Sequence, residues 1–141
     1  MTTTAWAHLP NAVHIDRVIA SVQAHPEHWA SPRDAAWESQ SWDQLYAAWY
    51  AGHDILKGHG RYTEWNEAWE AARDVVWQAT SADVVREAIE YAVLALVAYD
   101  DCAYMLDSDP TELATLAAFG DPRATMLFPA CKVFHSLKTI A

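Results

Sequence analysis

Residues 80–106 read TSADVVREAIEYAVLALVAYDDCAYML, and the run from Tyr91 to Tyr99, YAVLALVAY, carries no charge. A helix that is apolar on every side has to be surrounded by other elements, because water on any face would meet hydrocarbon. The run is too short to span a bilayer, which asks for about 20 apolar residues. It therefore predicts a central core helix over about residues 81–106, and with it an all-α, single-domain bundle. Asp100 and Asp101 follow the run directly. They would sit inside that helix, an unusual place for two adjacent carboxylates.

Working outward, the flanking signals divide the rest of the chain into helices. Asn11 is a cap for a first helix whose Ile15, Val18, Ile19 and Val22 fall on one face. Pro26 ends that helix by His25. Ser31-Pro32-Arg33-Asp34 starts the next. It runs to about residue 57, with a break near residue 40, and Gly58-His59-Gly60 makes the following loop. Thr63 opens a helix to about Ala79, and residues 80–83 cap the central helix. Asp109-Pro110 and Asp121-Pro122 repeat one start signal, the first helix ending at Gly120 and the second expected to kink at Pro129. The count is about six helices over residues 1–141, with residues 1–10 a short tail pinned by Trp6 and Leu9.

Composition narrows the function. Hydrophobic residues make up 52% of the 141, which disfavours disorder. The formal net charge of −10 disfavours direct contact with nucleic acid or an anionic membrane. It leaves open a cationic protein partner. The start, MTTTAWAHLP, lacks the basic and apolar regions of a signal peptide, so the cytoplasm is expected. Two cysteines, Cys102 and Cys131, are too few for a disulfide framework and far from metal-type spacing. They read as small buried hydrophobes.

The most distinctive pattern is a row with a spacing of four: Trp65, Trp69, Arg73 and Trp77, with small alanines between. Each step advances the position by about 40° around a helix. An aromatic stripe of this kind is first of all packing. Eight tryptophans nevertheless exceed what one small core needs. Trp and Tyr stack well on planar ligands, and an Arg among them can clamp a phosphate or carboxylate.

The Ala-Ala-Trp-Asp/Glu tetrads, together with LPNAVHIDRVIASV (residues 9–22), AYDDCAYMLD (98–107) and GDPRATMLFPAC (120–131), carry a resemblance. The chain resembles a set of small Ala/Trp/Arg-rich proteins of bacteriophage and bacterial genomes, most of them without an assigned activity. That resemblance covers most of the chain and implies a phage-type accessory protein, a class that often counters host defences in the host cytoplasm. It implies no catalytic residue. Trp49, His53, His59 and Tyr62 depart from the repetition and give the chain its individuality.

Adjacent helical positions point about 100° apart, so one of Asp100 and Asp101 would face the interior and the other an edge. Either one pairs with Arg73, Arg86, Arg123 or Lys132, or one binds ribose hydroxyls with Tyr99 and Tyr104 as walls, Asp100 and Tyr104 sharing a helical face. His25-Pro26-Glu27-His28 has a metal-like gap, but Pro26 spoils a helical presentation and no third ligand is near, so no metal is expected. No cofactor is expected, and no nucleophile elbow or phosphate-cradling loop is present. The leading expectation is a non-catalytic protein, compatible with a homodimer. It would sequester a small nucleotide-derived ligand, of ADP-ribose type, in an aromatic pocket of Trp49, His53, Arg61, Tyr62, Trp69, Arg73, Tyr99, Asp100 and Tyr104. The alternatives are an acidic inhibitor of a host defence protein and a structural or assembly protein.

Overall fold

The computed structural model describes residues 6–7, 9–29, 42–58, 62–79 and 83–140. Among them are six α-helices: α1 (Ala12–Ala24), α2 (Trp42–Gly58), α3 (Tyr62–Ala79), α4 (Asp83–Ala98), α5 (Pro110–Ala118) and α6 (Pro122–Ile140). A 3-10 turn, Ala103–Asp107, joins α4 to α5. The helix start expected at residues 31–34, the break near residue 40, the loop at 59–60 and the cap at 80–82 lie outside the described residues. No helix among the described residues is long and apolar enough to cross a membrane.

The all-α bundle is borne out, with one change at its centre. Every residue from Ile89 to Ala98 except Glu90 is buried, so this stretch of α4 is enclosed as its composition demands. A second helix shares that role: α6 is buried without interruption from Ala124 to Cys131 and packs against α2, α4 and α5. Pro129 stays inside α6, which runs on past it to Ile140. A proline there forfeits one backbone hydrogen bond, a penalty of about 3 kcal/mol, and the buried Met126, Leu127, Phe128 and Val133 around it offset that loss. Helix α2 approaches both central helices at Gly52, where an added Cβ would lie 3.2 Å from Met126 Cε and 3.3 Å from Leu94 Cδ2. Glycine lets the helices close to that distance.

The expected helix over residues 81–106 is too long by two turns. Helix α4 stops at Ala98, and Asp100 and Asp101 lie in the exposed turn that follows. Two side chains hold its last carbonyls, Asn11 from far back in the sequence and Cys102 from just beyond the run. Asn11 Nδ2 donates to the carbonyls of Leu96 and Tyr99 at 2.9 and 2.8 Å. The Cys102 thiol is shared between the carbonyls of Ala95 and Tyr99 at 3.4 and 3.3 Å. The last carbonyls of a helix need such partners. Asn11 precedes α1, but its side chain makes no capping bond there; only its backbone carbonyl accepts, from His14 and Ile15. Its amide is spent on α4.

The Asp-Pro signals perform as read. Asp109 Oδ1 accepts from the Thr111 N–H at 2.8 Å, and Asp121 Oδ1 from the Arg123 N–H at 2.9 Å. Gly120, between the two helices, takes φ +92°, a conformation that suits glycine. Trp6 and Leu9 pin the segment just ahead of α1, as expected: both are buried, and Trp6 Nε1 donates to Asp16 Oδ1 at 2.7 Å.

Candidate functional site

Helices α2, α3 and α4 bring four of the expected residues and one unexpected one into a single aromatic cluster. Trp49 and His53, one turn apart on α2, hold their rings 4.5 Å apart. Trp69 on α3 meets both, at 5.6 Å from Trp49 and 5.4 Å from His53, each nearly edge-on. Tyr91 on α4 closes the group at 5.3 Å from Trp49. Such T-shaped arrangements place the positive edge of one ring on the negative face of another, adding about 0.5–1.5 kcal/mol per pair beyond burial. They also mean that the rings fill one another's faces. A slot between two parallel rings, as a sandwiched ligand would require, is not how this cluster is built.

Its polar groups lie on one flank. The Arg73 guanidinium lies 5.2 Å from the Trp69 ring centre and 4.9 Å from that of Trp77, so it is held over both by cation–π attraction. It also donates to the Asp74 carboxylate at 3.2 Å. Within the four-spaced row on α3, Arg73 is thus laid between Trp69 and Trp77. His53 is held neutral: burial lowers its pKa first, the Lys57 charge adds to this, and Asp54 opposes it. A neutral imidazole offers one donor and one acceptor.

The Trp69 indole stands out. Only 5% of the residue is exposed, and its Nε1–H meets no hydrogen-bond acceptor. Buried donors in folded proteins are overwhelmingly paired, and leaving one unpaired costs about 1–3 kcal/mol.

The other expected residues do not join this group. Tyr99 lies eight positions beyond Tyr91, about 12 Å along the α4 direction. It is half-buried at the far corner beside Arg123 and Asp121, and burial raises its pKa. Asp100 is exposed, and Tyr104 is 61% exposed in the 3-10 turn. The shared helical face expected for Asp100 and Tyr104 does not exist, because no α-helix runs through them. Neither aspartate faces the interior. Asp101 is the member that pairs, accepting from Arg123 Nη1 at 3.2 Å. Arg61, His59 and the Tyr62 side chain lie outside the described part of the structure. Tyr91 was missed because the apolar run that contains it reads as core on all sides; only the packing of α2 against α4 singles it out.

Beyond the cluster, a cleft of about 330 Å³ lies between α2 and the start of α6, lined by Gln44, Ala47, Ala48, Ala51, Gly120, Pro122 and Thr125. It lacks charged groups and aromatic walls. No protein-family model, curated protein or solved structure shows significant similarity to this chain.

Proposed function

We propose that this protein is a non-catalytic binding module that holds a small anionic, nucleotide-like ligand at the Trp49–His53–Trp69–Arg73 corner of the bundle. The observation that carries the reading is the buried Trp69 indole N–H without an acceptor, beside a guanidinium fixed over the same ring. A ligand phosphate or carboxylate reaching the enclosed N–H by a shift of the neighbouring rings would pair it and compete with Asp74 for the Arg73 guanidinium. The planar part of the ligand would lie against the outer edge of the cluster, on the Arg73 flank. His53, held neutral, would discriminate by hydrogen bonding. Tyr99, Asp100 and Tyr104 take no part in this version of the site. With the phage-type resemblance, the reading becomes that of a protein that sequesters a nucleotide-derived defence signal.

Intrinsic tryptophan fluorescence and thermal stability, followed against ADP-ribose, cyclic nucleotides and mononucleotides, test it. The expected result is saturable quenching with a raised Tm, the ligand recovered unchanged. Arg73→Gln and Trp69→Phe should each weaken binding about tenfold, the worth of one charge-assisted hydrogen bond of about 1.5 kcal/mol. A flat response across the panel sinks the proposal.

A second reading has its own support. Glu64, Glu67, Glu70 and Asp74 are all exposed on α3 within an arc of about 120°. An acidic helical face suits a basic groove on a protein partner, and charge reversal at Glu67 and Glu70 would abolish that interaction while leaving small-ligand binding intact.

A further inference from the structure

We propose a second site, independent of the aromatic corner: a surface site for a divalent transition-metal ion of the zinc class, formed by His25, Glu27 and His28. One ligating atom from each of the three side chains lies within 4.8 Å of the other two. The spacing of the histidines alone argued against a metal, because Pro26 breaks the helix between them and no third donor was evident. The helix does break at Pro26, but the break itself gathers the donors, and Glu27 is the third. Pro26 takes the chain out of α1, whose last turn ends with the His25 N–H donating to the Ser21 carbonyl. Residues 26–29 then form a new helical turn. That corner turns His28 back toward His25, and Glu27 becomes the third donor.

The distances are close to those that coordination requires. Tetrahedral zinc with bonds of about 2.0–2.1 Å sets its ligand atoms about 3.4 Å apart. His28 Nε2 and Glu27 Oε1 are already 3.8 Å apart. The two imidazole centres lie 5.7 Å apart and nearly perpendicular, against about 5.2 Å for two rings on one zinc ion.

The backbone is the rigid part. Trp29, directly after His28, is completely buried, donates from Nε1 to Ser21 Oγ at 3.1 Å and lies edge-on to Phe134. The His28 N–H donates to the His25 carbonyl at 3.1 Å. The turn carrying all three donors is thus anchored in the core at its next residue, which lowers the ordering cost of binding. Two imidazoles and one carboxylate favour zinc, cobalt, nickel or copper over calcium or magnesium. Three protein donors leave a fourth position for water, and a net charge of −10 draws cations to the surface.

Zinc titration of the full chain by calorimetry tests the site, with His25→Ala/His28→Ala, Glu27→Gln and His135→Ala as variants. The expected result is one equivalent bound with micromolar affinity. The double variant should lose it by at least about a hundredfold, Glu27→Gln by about tenfold, and His135→Ala should bind as the wild type does. Should a variant misfold, imidazole ¹⁵N shifts of the wild type on adding zinc decide the matter. Shifts confined to His25 and His28 support the site. Shifts at other histidines, unchanged binding in the double variant, or no binding below about 100 μM would overturn it.

Discussion

Asn11 separates a local reading of this chain from a tertiary one. As a helix N-cap it would be interchangeable with aspartate, since the two residues cap about equally well. In the structure its amide instead donates to the Leu96 and Tyr99 carbonyls at the negative end of α4, with only 4% of the residue exposed. Asn11→Ala deletes one buried and one part-buried hydrogen bond, each worth about 0.5–1.5 kcal/mol net, and strands acceptors behind them. The Tyr99 carbonyl keeps the Cys102 thiol as a weak partner, so the loss should be about 2–3 kcal/mol rather than more. Asn11→Asp should be worse at neutral pH, because a carboxylate would face two carbonyl oxygens and the helix dipole. Its folded-state pKa would rise, so its penalty should be smallest below about pH 4 and grow as pH rises past the unfolded value of about 3.9. Urea unfolding followed by far-UV circular dichroism measures both, with a midpoint drop of about 1 M or more at unchanged slope for a slope of about 2 kcal/mol/M. An Asn11→Asp variant as stable as the wild type at pH 7 would refute the clasp and restore the simple cap.

Two further outcomes are expected. Asp107 receives two hydrogen bonds from Arg17 and one from Lys138, and the Arg17 bonds above all hold its pKa down to about 2. A depressed carboxylate stabilises above its unfolded pKa, so this contribution should be present at pH 5 and lost as pH falls from about 4 toward 2. The side chain is 43% exposed, so screening keeps the contribution below about 1 kcal/mol. Asp107→Asn should show a flatter loss of stability over that window, and identical slopes would remove the triad from the account. Burial pushes the Cys102 thiol up to about 12 and the Cys131 thiol up to about 11. Both should resist iodoacetamide at pH 8 in the native protein and alkylate fully in denaturant, as mass spectrometry would show.

The site was legible in part. Trp49, His53 and Trp69 meet, with Arg73 laid over Trp69, because residues four apart on a helix share a face and an Ala-rich neighbour lets that face be approached. Tyr99, Asp100 and Tyr104 would share that place only on a helix continued through them, and α4 ends at Ala98. Helical spacing cannot foresee a remote amide that ends the helix.

What the sequence determined by itself is local: the uncharged run that must be enclosed, the Asp-Pro starts of α5 and α6, the Pro26 stop, and the tryptophan row of α3. Each follows from interactions within a few residues, where period and capping chemistry decide. Tertiary structure decided what depends on distance across the chain. It placed α6 beside α4 as a second buried helix and sent Asn11 across 85 residues to close α4. It set His25 and His28 around a corner that brings Glu27 between them, and it left the Trp69 indole without an acceptor. Apolar burial has no direction and fixes only that helices must pack; the directional groups that choose where they end and what they face find their partners only once the chain has folded.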